Sequence, residues 1–129
     1  MAASYKVVAL TVSTALFMVY LDSSAFIVAI PAMARDFHMP AVDLNVAILA
    51  NQLSMTVLIP VGSLLAERIG QRNAFALSLC VFMVGSVLSA ISNSLLGLVA
   101  ARALQGACGA VMMPVSRILV VRSADKSEL

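Results

Sequence analysis

Residues 7–31 read Val-Val-Ala-Leu-Thr-Val-Ser-Thr-Ala-Leu-Phe-Met-Val-Tyr-Leu-Asp-Ser-Ser-Ala-Phe-Ile-Val-Ala-Ile-Pro. A single charge, Asp22, interrupts a stretch otherwise long and apolar enough to cross a bilayer. A hydrocarbon core about 30 Å thick is spanned by about 20 apolar residues in a helix. In lipid every backbone N–H and C=O must be paired within the segment, so the stretch is expected to be helical. The period-two alternation that marks a membrane barrel is missing.

Three more stretches of the same kind follow, from about Leu44 to Ala66, Ala74 to Ser92 and Leu95 to Val121. The chain is 62% hydrophobic and 11% charged, with a mean hydropathy of +1.05. Soluble domains are about 45–50% apolar and about 25% charged, so most of these side chains have lipid as their natural solvent. The expectation is an all-α integral membrane protein of four transmembrane helices, with residues 1–129 as one membrane segment. The breaks are short and polar: Ala32 to Asp43 with Arg35, Asp36, His38 and Pro40; Glu67 to Asn73; and Ser92-Asn93-Ser94. Short links make consecutive helices antiparallel neighbours.

Lys6, the run Val7–Leu21 and the small residues Ala32-Met33-Ala34 also mimic a signal peptide with its cleavage site. Asp22 inside the run, its length, and three further spans argue against that reading. Basic residues set the orientation. Lys6, Arg68, Arg72, Arg117, Arg122 and Lys126 gather on one side and Arg35 stands alone on the other, which puts both termini and the second loop in the cytoplasm. The lack of a cleavable presequence fits a bacterial inner membrane.

Other classes fit poorly. The net charge of +2 comes with no basic run or aromatic–basic interleaving, so nucleic acid is not an expected partner. Cys80 and Cys108 sit in apolar runs and read as small buried hydrophobes, with no disulfide and no metal site. No carboxylate pair, nucleophile triad or nucleotide loop suggests an enzyme, and His38, the one histidine, lies in a loop.

Asp22 and Arg102 fall well inside spans, where a charge costs about 2.5–3.5 kcal/mol at a helix centre. Counting ~1.5 Å per residue, Asp22 lies ~13 Å below Pro31 and Arg102 ~12 Å below Ser94. The opposite charges therefore share a level. Asn51 and Gln52 lie at a comparable depth, and Gln105 is one turn below Arg102, so a polar layer crosses three of the four helices. Asp22 and Arg102 read as a proton or cation site, because a proton-coupled carrier needs an acid that binds and releases its proton as access alternates. The competing reading is a static ion pair joining two helices, with Asn51 and Gln105 as interhelical hydrogen-bond residues. Small residues four apart, Ala25 and Ala29, Gly85 and Ser89, Gly106 and Ala110, are candidates for close helix approach. Pro60 and Pro114 lie inside spans. The eight Met residues read as packing or lipid-facing, with an adaptable ligand surface as the alternative.

Three motifs carry a resemblance. Leu21-Asp22-Ser23-Ser24-Ala25-Phe26-Ile27-Val28-Ala29-Ile30-Pro31 resembles the first-helix signature of drug–proton antiporters of the major facilitator superfamily, especially the fourteen-helix branch. Ser24 stands where that signature has Thr, and Ile27 where it has Asn. Ser63-Leu64-Leu65-Ala66-Glu67-Arg68-Ile69-Gly70-Gln71-Arg72 resembles the superfamily's cytoplasmic loop motif. Here Glu67 replaces Asp, Ser63 takes the first Gly position and Gln71 replaces a basic residue. Arg102-Ala103-Leu104-Gln105-Gly106-Ala107-Cys108-Gly109 resembles the fourth-helix motif, with Cys108 at its second Gly and Pro114 beyond it.

The resemblance, from about Tyr5 to Glu128, implies proton-coupled efflux of drugs or other small molecules, with protons as the coupling ion and no cofactor. It implies proton or cationic-substrate roles for Asp22 and Arg102 and a lipophilic cationic substrate. It also implies a fold of roughly twelve to fourteen spans built from three-helix inverted repeats. The chain is then expected to be an incomplete N-terminal half, one repeat plus the first helix of the next, with Ser123–Leu129 starting the next loop. It would need the missing transporter half or self-association. Two alternatives remain: a self-contained four-helix dimeric multidrug carrier, and a non-transporting membrane assembly or regulatory fragment.

Overall fold

The computed structural model describes residues 2–125. Four helices fill almost all of it: α1 Ala2–Asp36, α2 Ala41–Ile69, α3 Gln71–Ile91 and α4 Leu95–Asp125. All four are long and apolar enough to cross a membrane, and the fold is all-α. At ~1.5 Å per residue, the 35 residues of α1 extend ~52 Å, well beyond a hydrocarbon core of about 30 Å.

The helices overrun the expected breaks for local reasons. Pro31 does not end α1, which continues through Ala32–Asp36. The chain turns at His38, whose φ of 52° is the left-handed conformation, and Pro40 then sits extended at the start of α2. Glu67 to Ile69 close α2 and Gln71 to Asn73 open α3, so the second break shrinks to Gly70. Its φ of 87° is cheap only for a residue without a side chain. The third break stays at Ser92–Ser94, where Ser94 Oγ accepts the Gly97 backbone N–H at 3.2 Å and caps α4. Ser123 to Asp125 belong to α4, not to a loop as expected. Lys126 and the rest of that expected loop lie outside the described residues.

α4 is the central helix, packed most extensively on α2, then α3, with α1 laid against it. The α2–α4 contact depends on missing side chains. A Cβ on Gly106 would collide with the backbone carbonyl of Asn51, and one on Gly62 would come within 2.9 Å of the Ala110 carbonyl oxygen. On the α3 side, a Cβ on Gly85 would come within 2.8 Å of Gln105 Cγ. Two of the expected small-residue pairs therefore mark close contacts at Gly85 and Gly106. The third does not, since Ala25 is exposed on α1.

Two apolar clusters hold the bundle at its two ends. One joins Val12 and Ala15 of α1 to Ala66, Ala74, Phe75, Val111, Met112 and Val115. The other joins Phe26 and Ile30 of α1 to Leu44, Ala47 and Leu98. Between the two lies the polar layer. The outward faces are apolar, with Val28 and Leu96 about four-fifths exposed (80% and 81%), as a lipid environment requires.

Candidate functional site

Asp22 on α1 is the hub of the polar layer. Its Oδ2 accepts from Arg102 Nη1 on α4 at 2.8 Å, an ion pair whose side chains are 6% exposed at Arg102 and 22% at Asp22. Its Oδ1 accepts from the Ser86 hydroxyl on α3 at 3.0 Å. Gln105 Nε2 approaches Oδ2 at 3.5 Å, at the limit of a hydrogen bond. The carboxylate thus ties α1 to two helices at once.

Arg102 is held on a second side. Its guanidinium carbon lies 3.5 Å from the centroid of the Phe26 ring, a cation–π contact that gains strength away from water. Phe26 is one turn beyond Asp22 on α1, so both partners of Arg102 come from one helix face. Arg102 Nε and Gln105 Oε1 are buried without a hydrogen-bond partner among the described residues.

The second helix joins through the backbone of α4. Asn51 Nδ2 donates to the Arg102 carbonyl at 3.1 Å and Ser54 Oγ to the Ala103 carbonyl at 2.7 Å. Gly106 makes this approach possible. Of the expected layer, Asp22, Arg102, Gln105 and Asn51 come together. Gln52 is exposed and lines two clefts beside the layer, one of them shared with Arg102. Gly109 is buried beside Met55, and Pro114 lies within α4 below the layer. The loop-motif residues Ser63, Glu67, Arg68, Gly70 and Arg72 are exposed around the α2–α3 junction, away from the layer. Ser63 Oγ there donates to the Pro60 carbonyl at 2.8 Å. Among the described residues, Asp22–Arg102 is the one ion pair, and no group of side chains could hold a metal ion.

Sequence reasoning missed Ser86, Phe26 and Ser54. Ser86 lies six residues before Ser92, or ~9 Å below the end of α3, which brings it near the Asp22 level. That was the available signal, and a weak one, because serine is common in membrane helices. Phe26 carried no signal, since an aromatic in an apolar span looks like any other.

One cleft opens onto Asp22 and a second onto the neutral residues of the layer. The first, about 400 Å³, opens between α1 and α3 and is lined by Met18, Leu21, Asp22, Phe82, Met83 and Ser86, among others. The other, about 270 Å³, lies between α1, α2 and α4 beside Tyr20, Asn51, Met55, Gln105, Met112 and Met113. Several methionines therefore do line open space next to the polar layer. Such side chains fit irregular apolar shapes well.

The comparisons with known proteins agree with this architecture. The family model described as Major Facilitator Superfamily matches residues 12–129. A Haemophilus influenzae protein named as a transport protein, HsrA, is 35% identical over 126 residues, covering 98% of this chain and 27% of its own. Proteins named for multidrug resistance, MdtD, are similar too. The one from Salmonella paratyphi B is 33% identical over 117 residues, covering 91% of this chain and 25% of its own. The one from Shigella flexneri is 35% identical over 112 residues, covering 87% and 24%. The chain thus spans about a quarter of the length of these relatives. No solved structure gives a significant match. A chain of four membrane-length helices that matches the family model over nearly its whole length is an integral membrane protein, and it belongs to the major facilitator superfamily, a family of transporters.

Proposed function

We propose that this chain forms the N-terminal four-helix part of a proton-coupled transporter that exports drugs or other small molecules. The observation that carries the reading is the Asp22–Arg102 pair, enclosed at mid-span between two apolar clusters and beside two clefts. A charge at that depth is costly, and such residues mark ion and substrate pathways.

The chemistry follows from the pair. A proton on Asp22 removes the negative charge that offsets Arg102. A buried cation without its partner is strongly unfavourable, so proton binding favours a rearrangement of α1 against α4. A lipophilic cationic substrate competes for the same carboxylate. Its exchange with the proton gives efflux driven by the proton gradient, with no cofactor besides the coupling protons. The relatives' names, transport and multidrug resistance, support transport of drugs or other small molecules. The basic residues Lys6, Arg68, Arg72, Arg117 and Arg122 support placing both termini in the cytoplasm, in a bacterial inner membrane. The coverage of about a quarter of the relatives supports action together with further spans, from a transporter half or from self-association.

The test is proton-driven efflux of a lipophilic cationic dye from vesicles carrying the chain, alone and together with the remaining spans of a relative such as HsrA. Efflux that disappears with Asp22→Asn supports the reading. Efflux that survives that substitution removes Asp22 from the coupling path and leaves the ion pair a structural one.

A further inference from the structure

Hydroxyls in these helices mostly bond to their own backbone. Thr11, Thr14, Thr56, Ser78, Ser92 and Ser116 each donate to the carbonyl four residues before them. Ser86 does not. It reaches across from α3 to Asp22 Oδ1 on α1 at 3.0 Å, in a layer where the other carboxylate oxygen is held by Arg102 of α4. α3 and α4 thus grip opposite oxygens of one carboxylate.

The two grips differ in chemistry. A guanidinium has donors and no acceptor, whereas a hydroxyl donates one hydrogen bond and accepts others. When Asp22 is ionised, both partners donate to it. When Asp22 carries a proton, Arg102 loses its counter-charge. Ser86 then turns its hydroxyl and accepts the acid's O–H. The acid's other oxygen still accepts from Arg102, but without the opposite charge: the bond between α1 and α3 keeps its strength on protonation, while that between α1 and α4 falls from an ion pair to a hydrogen bond with a neutral group.

We infer that Ser86 is a positioning residue for Asp22: its hydroxyl keeps α1 attached to α3 in both protonation states, so that proton binding weakens the hold of α4 on α1 alone. The inference deepens the proposed proton-coupling reading and rests on it. The groups facing Asp22 are few. α4 brings Arg102 and the neutral Gln105, α3 brings Ser86, and the nearby α2 residues of the layer, Asn51 and Gln52, are neutral. Arg102 is the charged group in contact. The cleft between α1 and α3 leaves Ser86 half-buried, with room for its hydroxyl to turn.

The test uses the chain reconstituted in lipid vesicles with isotope-labelled aspartate, read by infrared spectroscopy across a pH series. The difference between wild type and Asp22→Asn isolates the Asp22 bands, ionised and protonated. Ser86→Ala is expected to shift both bands, and Ser86→Thr, which keeps a hydroxyl, to restore both. A band left in place by Ser86→Ala in either state overturns the inference, as does a Thr variant that behaves like Ala. Circular dichroism of each variant shows whether the helices persist. If Ser86→Ala unfolds the bundle, the Thr variant decides alone: wild-type bands in both states support the inference, and altered bands sink it. None of these readings requires transport, so failure of the positioning role and failure of the transport reading are told apart.

Discussion

α4 meets α2 and α1 in opposite ways. Against α2 it presents backbone: Gly106 lies under the Asn51 carbonyl, Gly62 under that of Ala110, and Asn51 and Ser54 bond to main-chain oxygens of α4. Against α1, at the level of the polar layer, it presents a charged side chain: Arg102 to the carboxylate of Asp22 and the ring of Phe26, with clefts on both flanks. Backbone contact through glycine has no alternative partner and does not titrate. A side-chain ion pair is undone by one proton. The comparison separates a seam suited to staying fixed from a joint suited to moving.

The hardest attempt to break this contrast is a side chain placed in the seam. Gly106→Leu meets the Asn51 backbone, which cannot give way as a flexible side chain would. It should cost about 3 kcal/mol or more, the upper range of overpacking. Denaturant titration in bicelles, followed by helix content, checks this. A near-normal midpoint would mean that α2 and α4 are not so closely apposed.

The joint offers the next effect. Arg102→Gln strands the Asp22 carboxylate and should lower stability by about 3 kcal/mol near neutral pH, as when one partner of a buried pair is removed. Combining it with Asp22→Asn should recover most of that loss. The same titration across the four-member cycle measures it. If the double variant fares no better than the single, Asp22 and Arg102 are not partners.

The smallest expected effect sharpens the description of the seam. Ser54→Ala removes one interhelical hydrogen bond to a carbonyl already bonded within its helix, and should cost about 0.6 kcal/mol. A much larger loss would show that the seam depends on its hydroxyl and not chiefly on glycine packing.

The four helices were legible because lipid demands long apolar runs, and the Asp22–Arg102 pairing because helix rise converts position into depth. The loop boundaries were less so. Pro31 looked like an end and is not one, since the helix continues to Asp36. Gly62 stood in the sequence as a neighbour of a motif position, yet it makes one of the closest helix contacts. Ala25 looked like a contact residue and is exposed.

The misses at Gly62 and Ala25 share one cause. In water, the buried face of a helix differs from its wet face and periodicity reveals it. In lipid, the surroundings are as apolar as the interior, so position along the axis is written in the sequence and direction around the axis is not. The sequence alone determined that the chain carries four membrane-length apolar runs, that Asp22 and Arg102 fall at one level along them, and which family its motifs resemble. Only the tertiary structure decided that Ser86 faces Asp22, that Phe26 covers Arg102, and that glycines bring α2 against α4, because each depends on how the helices are rotated against one another.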